Sequence, residues 1–193
     1  MIEAILTRRN ATVKTKITVK SLISVALIAL AVILPQIVHA ALGAPGGVQW
    51  LPMYLPVLIG GCLLGWKWGL GVGVLSPIVS FLVTLAFGNP MPAAVRLPYM
   101  IVELAVFAGV TGLFSKAISE KSWMAFPAVL LAAVAGRLTF LAVAAMFQTV
   151  SPLSAAVVWE QIQTGLLGLV LQAVIAPAII MVLSFIINRE KSE

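Results

Sequence analysis

Apolar residues fall along the chain in six runs separated by short polar breaks: Ser21 to Ala41, Leu51 to Gly65, Trp68 to Phe87, Leu97 to Phe114, Trp123 to Phe147 and Thr164 to Ile187. A helix rises about 1.5 Å per residue and a bilayer core is about 30 Å thick, so about 20 apolar residues make one crossing. Most of the runs are long enough. The second, at about 15 residues, would alone be a re-entrant segment; as a full span it needs a neighbouring loop or the Trp66 and Trp68 belt to complete the crossing. The pattern predicts an all-α integral membrane protein, a six-transmembrane-helix bundle. Residues 1–20 form a basic cytoplasmic N-terminal segment, 21–187 the membrane domain and 188–193 a cytoplasmic tail.

Small and ring-closed residues refine the spans. Glycines at 61, 65, 69 and 73 recur every four residues, which on a helix makes a stripe where a neighbour packs closely. Pro77 and Pro177 interrupt the third and sixth spans and predict kinks there.

Composition agrees with lipid as the solvent. Of 193 residues, 62% are hydrophobic and only 9% charged, with a mean hydropathy of +1.14. The net charge of +6 and pI near 9.9 would suggest nucleic acid if the basic residues shared a soluble face. They do not. Arg8, Arg9, Lys14, Lys16 and Lys20 precede the first span, and six crossings bring Lys67, Lys116, Lys121, Arg189 and Lys191 to the same side. Only Arg96 falls opposite, while Arg137 lies within a span. Cytoplasmic loops carry the excess of Lys and Arg, so both termini are expected in the cytoplasm and no nucleic acid is expected as a partner. The competing reading of the N-terminus is a secretory signal peptide ending at Val38-His39-Ala40; the apolar run exceeds the usual length, and its removal would strand the C-terminal charges. Cys62 is the single cysteine and sits in an apolar run, which excludes a disulfide framework.

Two charges fall inside spans. Glu103 and Arg137 lie about 9 Å and about 15 Å below the outer ends of the fourth and fifth runs, and an ionisable group at that depth must be paired or wet. One reading is an ion pair that fixes helix packing; the other adds contact with a substrate from an outward-facing cavity. A second polar group gathers at the outer face: His39, Gln49, Trp50, Met53 and Tyr54, then Asn89, Met91, Arg96 and Tyr99, then Gln148, Trp159, Glu160 and Gln163. Amides, aromatics and a few charges at one end of a bundle suit a pocket for a polar small molecule with an apolar body. Trp50, Tyr54, Asn89, Tyr99, Glu103 and Arg137 are the expected substrate-binding residues.

Catalytic chemistry is poorly represented. There is no phosphate-cradling glycine loop with a lysine, no serine nucleophile elbow, no paired-histidine zinc motif and no aspartate at all. No catalytic residue, metal site or resident cofactor is expected, and the chain is not expected to hydrolyse ATP.

Several segments resemble one family, the S components (substrate-binding membrane subunits) of energy-coupling factor (ECF) transporters. They are Leu51 through Gly61, Gly65-Trp66-Lys67-Trp68-Gly69, Leu75-Ser76-Pro77, Val102 through Phe107 with Gly109 and Gly112, Ala135-Gly136-Arg137, and Gly165 through Gln172 to Pro177. The resemblance implies a multi-pass protein of a bacterial-type cell membrane that captures a vitamin or related micronutrient from outside. It also implies partners: a transmembrane coupling (T) subunit and two ATPase subunits, which use the ATP. Residues 51–61, following a Gly-rich outer loop at Gly43 to Gly47, look most like the cobalamin-type S components, where Met-His-Ile-Pro is common and this chain has Met53-Tyr54-Leu55-Pro56. Pantothenate and other vitamins stay open. The family's docking surface of small residues in the first helix corresponds here to Ala26, Ala29 and Ala31, without a strict four-residue alanine pair. The alternatives are a self-contained secondary transporter, for which Glu103 or His39 would carry a coupling proton, and a non-catalytic membrane assembly protein.

Overall fold

The computed structural model describes residues 1–8, 10–147 and 155–189. Arg9, Gln148 and Lys191, named above, lie outside the described residues, as does the end of the tail from 190. Among the described residues the regular structure is helical, without strands. The elements are α1 (Ile2–Arg8), α2 (Val13–Trp50), α3 (Tyr54–Leu64), α4 (Trp66–Ala86), α5 (Leu97–Leu113), α6 (Ser115–Glu120), a 3-10 turn (Ser122–Met124), α7 (Ala125–Phe147) and α8 (Ala155–Arg189).

Five segments are long and apolar enough to cross a bilayer: Val13–Gly43, Gly46–Leu64, Trp66–Ala86, Ser122–Phe147 and Ala156–Ile186. The sixth apolar helix, α5, has 17 residues and rises about 26 Å, slightly less than a hydrocarbon core. The outward faces are apolar throughout: Leu22, Val25 and Ile37 on α2, Leu130 and Val134 on α7, and Val170, Val174 and Phe185 on α8 are all exposed. A surface of this extent is stable only against lipid or another protein, and the chain is a multi-pass membrane protein.

The second apolar run gains its length differently from the sequence expectation. The expected outer loop at Gly43 to Gly47 is instead part of α2, which changes direction at Gly43 (φ 71°, ψ −173°) and continues to Trp50. Such a backbone angle costs a glycine nothing, so the chain turns without a loop. Leu51, at φ 49°, then joins the end of α2 to α3, and the span Gly46–Leu64 is completed from its N-terminal side. Trp66 and Trp68 do not contribute; they open α4 after a tight joint at Gly65 (φ 84°).

At the centre lies α5, packed by α3, α4 and α7. Val57, Leu58, Leu104, Phe107, Ala108, Val129 and Ala132 form its buried core. The four-residue glycine spacing is what lets these helices touch: a Cβ on Gly61 would stand 2.6 Å from the Ala108 carbonyl oxygen, and one on Gly73 2.5 Å from that of Leu104. Lipid-embedded helices associate through such contacts because apolar burial offers little gain there. Pro77 and Pro177 lie inside α4 and α8, both of which continue past them.

One end of the bundle is closed by the N-terminal segment. The Met1 amine donates to the Ser115 hydroxyl at 2.8 Å, Lys16 donates to the Thr7 hydroxyl at 3.0 Å, and Lys20 pairs with Glu3 at 2.7 Å. Lys67 and Lys116 begin α4 and α6 at this same end. From Lys20 to His39 the helix climbs about 28 Å to the opposite end, where the polar residues gather.

Candidate functional site

The floor of the site is built where α3, α5 and α7 meet. Glu103, on α5, is wholly buried and Arg137, on α7, is 8% exposed. Arg137 Nη1 stands 3.0 Å from Glu103 Oε1, and the Tyr54 hydroxyl donates to Glu103 Oε2. The guanidinium also lies over the Tyr54 ring, 5.3 Å from its centre, and that ring meets Phe107 edge-on at 5.1 Å. A buried carboxylate is thus answered by one cation and one hydroxyl, the condition on which a charge is tolerated at this depth. The pairing inferred from helix rise holds.

Above this floor is a cavity of about 540 Å³, inside the range typical of small-molecule sites. Its wall includes Pro35 and His39 of α2, the segment Val48 with Leu51 to Tyr54, Ser80 of α4, Asn89 to Ala93 with Arg96, Met100 of α5, Phe140 of α7 and Gln161 of α8. Two devices hold the irregular parts of this wall. Ser80 and Thr84 donate their hydroxyls to the Met91 carbonyl at 2.8 Å and 3.2 Å, and Met91 N–H donates to Thr84 Oγ1 at 2.7 Å; this ties the loop carrying Asn89 back onto α4. On the other side Gln172 of α8 donates to the carbonyls of Trp50 and Leu51. Gly168 fits beneath them, since a Cβ there would lie 2.3 Å from the Gln49 carbonyl oxygen.

Four of the expected substrate-binding residues, Tyr54, Asn89, Glu103 and Arg137, line the cavity; Trp50 and Tyr99 do not. Trp50 contributes its backbone carbonyl to the Gln172 anchor. Tyr99 stands behind the wall, edge-on to Phe140 at 6.2 Å. Sequence reasoning passed over Gln161 and Phe140. The signal for Gln161 was present: Gln161, Gly165, Gly168 and Gln172 repeat at intervals of four, three and four, one stripe of a helix facing inward. Phe140 follows Arg137 by three residues, which places it one turn on along the same face.

Among the described residues no three His, Cys, Asp or Glu side chains come together as a metal site. The chemistry available is recognition: a few fixed polar groups at the base of an apolar wall of Met, Pro and Phe. No curated protein and no solved structure matches the chain. A family model does, over residues 20–180, described as the substrate-specific component of ECF transporters. The match spans every element that builds the cavity, from α2 to α8, and the chain belongs to the family of substrate-specific components of ECF transporters.

Proposed function

We propose that this chain captures a vitamin or related micronutrient on the outer side of a bacterial-type cell membrane and delivers it inward with a separate coupling module. The observation that carries the proposal is the cavity itself, floored by the buried Tyr54, Glu103 and Arg137 and set at the end of the bundle away from the lysines. The lysine-rich end is the cytoplasmic one under the positive-inside rule, so the cavity faces out and the chain crosses six times, with α5 as the shortest crossing. Energy comes from ATP used by partner ATPases, which engage through a transmembrane coupling subunit. For that partner α2 offers an exposed face containing Ala26 and Ala29; Ala31 is fully buried and faces the bundle.

The ligand's size follows from the volume. About 540 Å³ encloses a compact vitamin such as pantothenate. A corrinoid, the ligand suggested by residues 51–61, is far larger than this volume and would need the cavity to widen. A thermal-shift screen of detergent-purified protein against a vitamin panel that includes both compounds tests the assignment. Ligand at 100 times its dissociation constant stabilises the folded state by about 2.7 kcal/mol. Uptake into cells with and without the ATPase partners tests the mechanism, and accumulation that persists without them would mark a self-contained transporter.

A further inference from the structure

We infer that the ligand of this cavity carries a carboxylate, received by Arg137 at the base of the site; the inference rests on the reading of the cavity as the substrate site. Glu103 Oε2 accepts from the Tyr54 hydroxyl, while Oε1 is ion-paired with Arg137 Nη1 at 3.0 Å without a hydrogen bond. The negative charge of the one acid in the floor is thus already matched by a cation from within the protein.

The donors are in the opposite condition. Arg137 lines the cavity and is more than nine-tenths buried, yet its Nε and Nη2 have no acceptor. Its guanidinium is held in orientation by Glu103 on one arm and by the Tyr54 ring on its face. Gln161 Nε2, on the same wall, is likewise buried without a partner, as is His39 Nδ1. Buried polar groups in folded proteins nearly always have partners, and among the unpartnered groups of this lining the donors Arg137 Nε, Arg137 Nη2 and Gln161 Nε2 outnumber the one carboxylate acceptor, Glu103 Oε1.

Charge points the same way. The cavity is lined by two guanidiniums, Arg96 and Arg137, against the single carboxylate of Glu103. Among the described residues the acid-base pairs are those of Lys20 with Glu3 and Arg137 with Glu103, so Arg96 at the mouth keeps its charge unanswered. A carboxylate brings two acceptor oxygens in the spacing of a guanidinium fork and one negative charge. An amide brings one acceptor and turns its own N–H groups toward donors. The remaining wall of Met53, Met91, Met100 and Phe140 suits an uncharged, largely apolar body attached to that acid.

Matched pairs of ligands on the unaltered protein provide the test, which avoids relying on an Arg137 variant that could fail to fold. Binding is measured by thermal shift and calorimetry for pantothenate against panthenol, nicotinate against nicotinamide, biotin against biotinamide, and lipoate against lipoamide. The expected result is that at least one acid binds and that its neutral counterpart is at least about tenfold weaker. Equal or tighter binding of the neutral member overturns the inference. So does binding of a vitamin without a carboxylate while all four acids are silent, and the proposed function then survives. Silence from acids and neutral vitamins alike, on well-folded protein, overturns the proposed function and the inference together.

Discussion

Gln172 Nε2 donates to the carbonyl of Leu51 at 2.9 Å and to that of Trp50 at 3.2 Å, joining α8 to the point where α2 gives way to α3. Leu51 has a left-handed backbone, which a leucine adopts only under constraint. The amide of Gln172 caps the Trp50 carbonyl at the end of α2 and adds a second donor to the Leu51 carbonyl, which also accepts from Tyr54 N–H. Replacing Gln172 with Leu removes both bonds at similar volume. The Leu51 carbonyl keeps the Tyr54 N–H as a donor, so the expected cost of about 1–3 kcal/mol comes from the Trp50 carbonyl losing the amide. Ligand affinity should fall as well, because Val48 and the turn from Leu51 to Tyr54 form one wall of the cavity. An unchanged unfolding midpoint for Gln172→Leu would show that water replaces the amide at no loss.

The ion pair of the floor predicts a specific pattern of non-additivity. Glu103→Gln leaves a guanidinium buried without its counter-charge, and Arg137→Gln leaves a buried carboxylate; each should destabilise by about 3–5 kcal/mol. The double replacement removes both charges, so its cost should be smaller than the sum of the two by about 0.5–3 kcal/mol. Tyr54→Phe keeps the ring under the guanidinium but deletes the donor to Glu103, with an expected loss of about 1.5–3 kcal/mol. A denaturant titration of the parent and the four variants in one detergent reads all of these, and strict additivity of the Glu103 and Arg137 effects would mean that the pair does not act as a unit.

Much of this arrangement was legible before any coordinates. Charges at the depths of Glu103 and Arg137 must be paired or wet in a membrane, and helix rise put them close enough in depth for the ion pair that was one reading of the sequence; that α5 and α7 face each other there is seen only in the structure. The apolar runs likewise located the helices, because length and hydropathy leave few alternatives inside a bilayer. The course of the chain near Gly43 was not legible. Glycines between two apolar runs signal a loop by composition, whereas Gly168 and Gln172 of α8 pack against and hydrogen-bond to residues 49–51, contacts that are remote in sequence. Trp50 and Tyr99 were expected in the site because interfacial aromatics are common both in belts and in pockets. Their orientation depends on the register of helix ends, where sequence patterns are least exact. The inward stripe of α8 from Gln161 to Gln172 was legible as small and polar residues at intervals of four, three and four against the exposed Leu166, Leu167 and Val170.

Glycines on α7 and α4 give a contrast that separates packing from propensity. A Cβ on Gly136 would lie 2.3 Å and 2.4 Å from two ring carbons of Phe107, and Phe107 is fully buried with Tyr54 set edge-on against it. Gly136→Ala must therefore displace the ring that packs against Tyr54, at an expected cost of about 1–3 kcal/mol and with weaker ligand binding. Gly71 has nothing within 4 Å of the same position, so Gly71→Ala should be neutral or add up to about 1 kcal/mol through helix propensity. Comparing the two thermal midpoints checks the prediction, and a tolerated Gly136→Ala would show that the Phe107 ring has room to turn.

At the lysine-rich end the pair of Glu3 and Lys20 should make a small, pH-dependent contribution. The lysine is nearly buried while the glutamate is two-thirds exposed, at 67%, so the bond holds α1 against α2 under partial solvent screening. The contribution is expected to be no more than about 1 kcal/mol. Its hydrogen bond to Lys20, and then the lysine charge, hold the Glu3 carboxyl below its ordinary range in the folded protein. The folded state thus binds its proton less readily than the unfolded chain, and stability from this source is present above the unfolded value of ~4.3 and lost as pH falls through the folded one. The difference in midpoint between the parent and Glu3→Gln should accordingly be constant above about pH 5 and close as the carboxyl protonates below it. Thermal unfolding of both proteins in detergent from about pH 3 to pH 7 reads this directly. A difference that widened as pH fell would place the pKa of Glu3 on the other side of its unfolded value and remove the lysine contact as its cause.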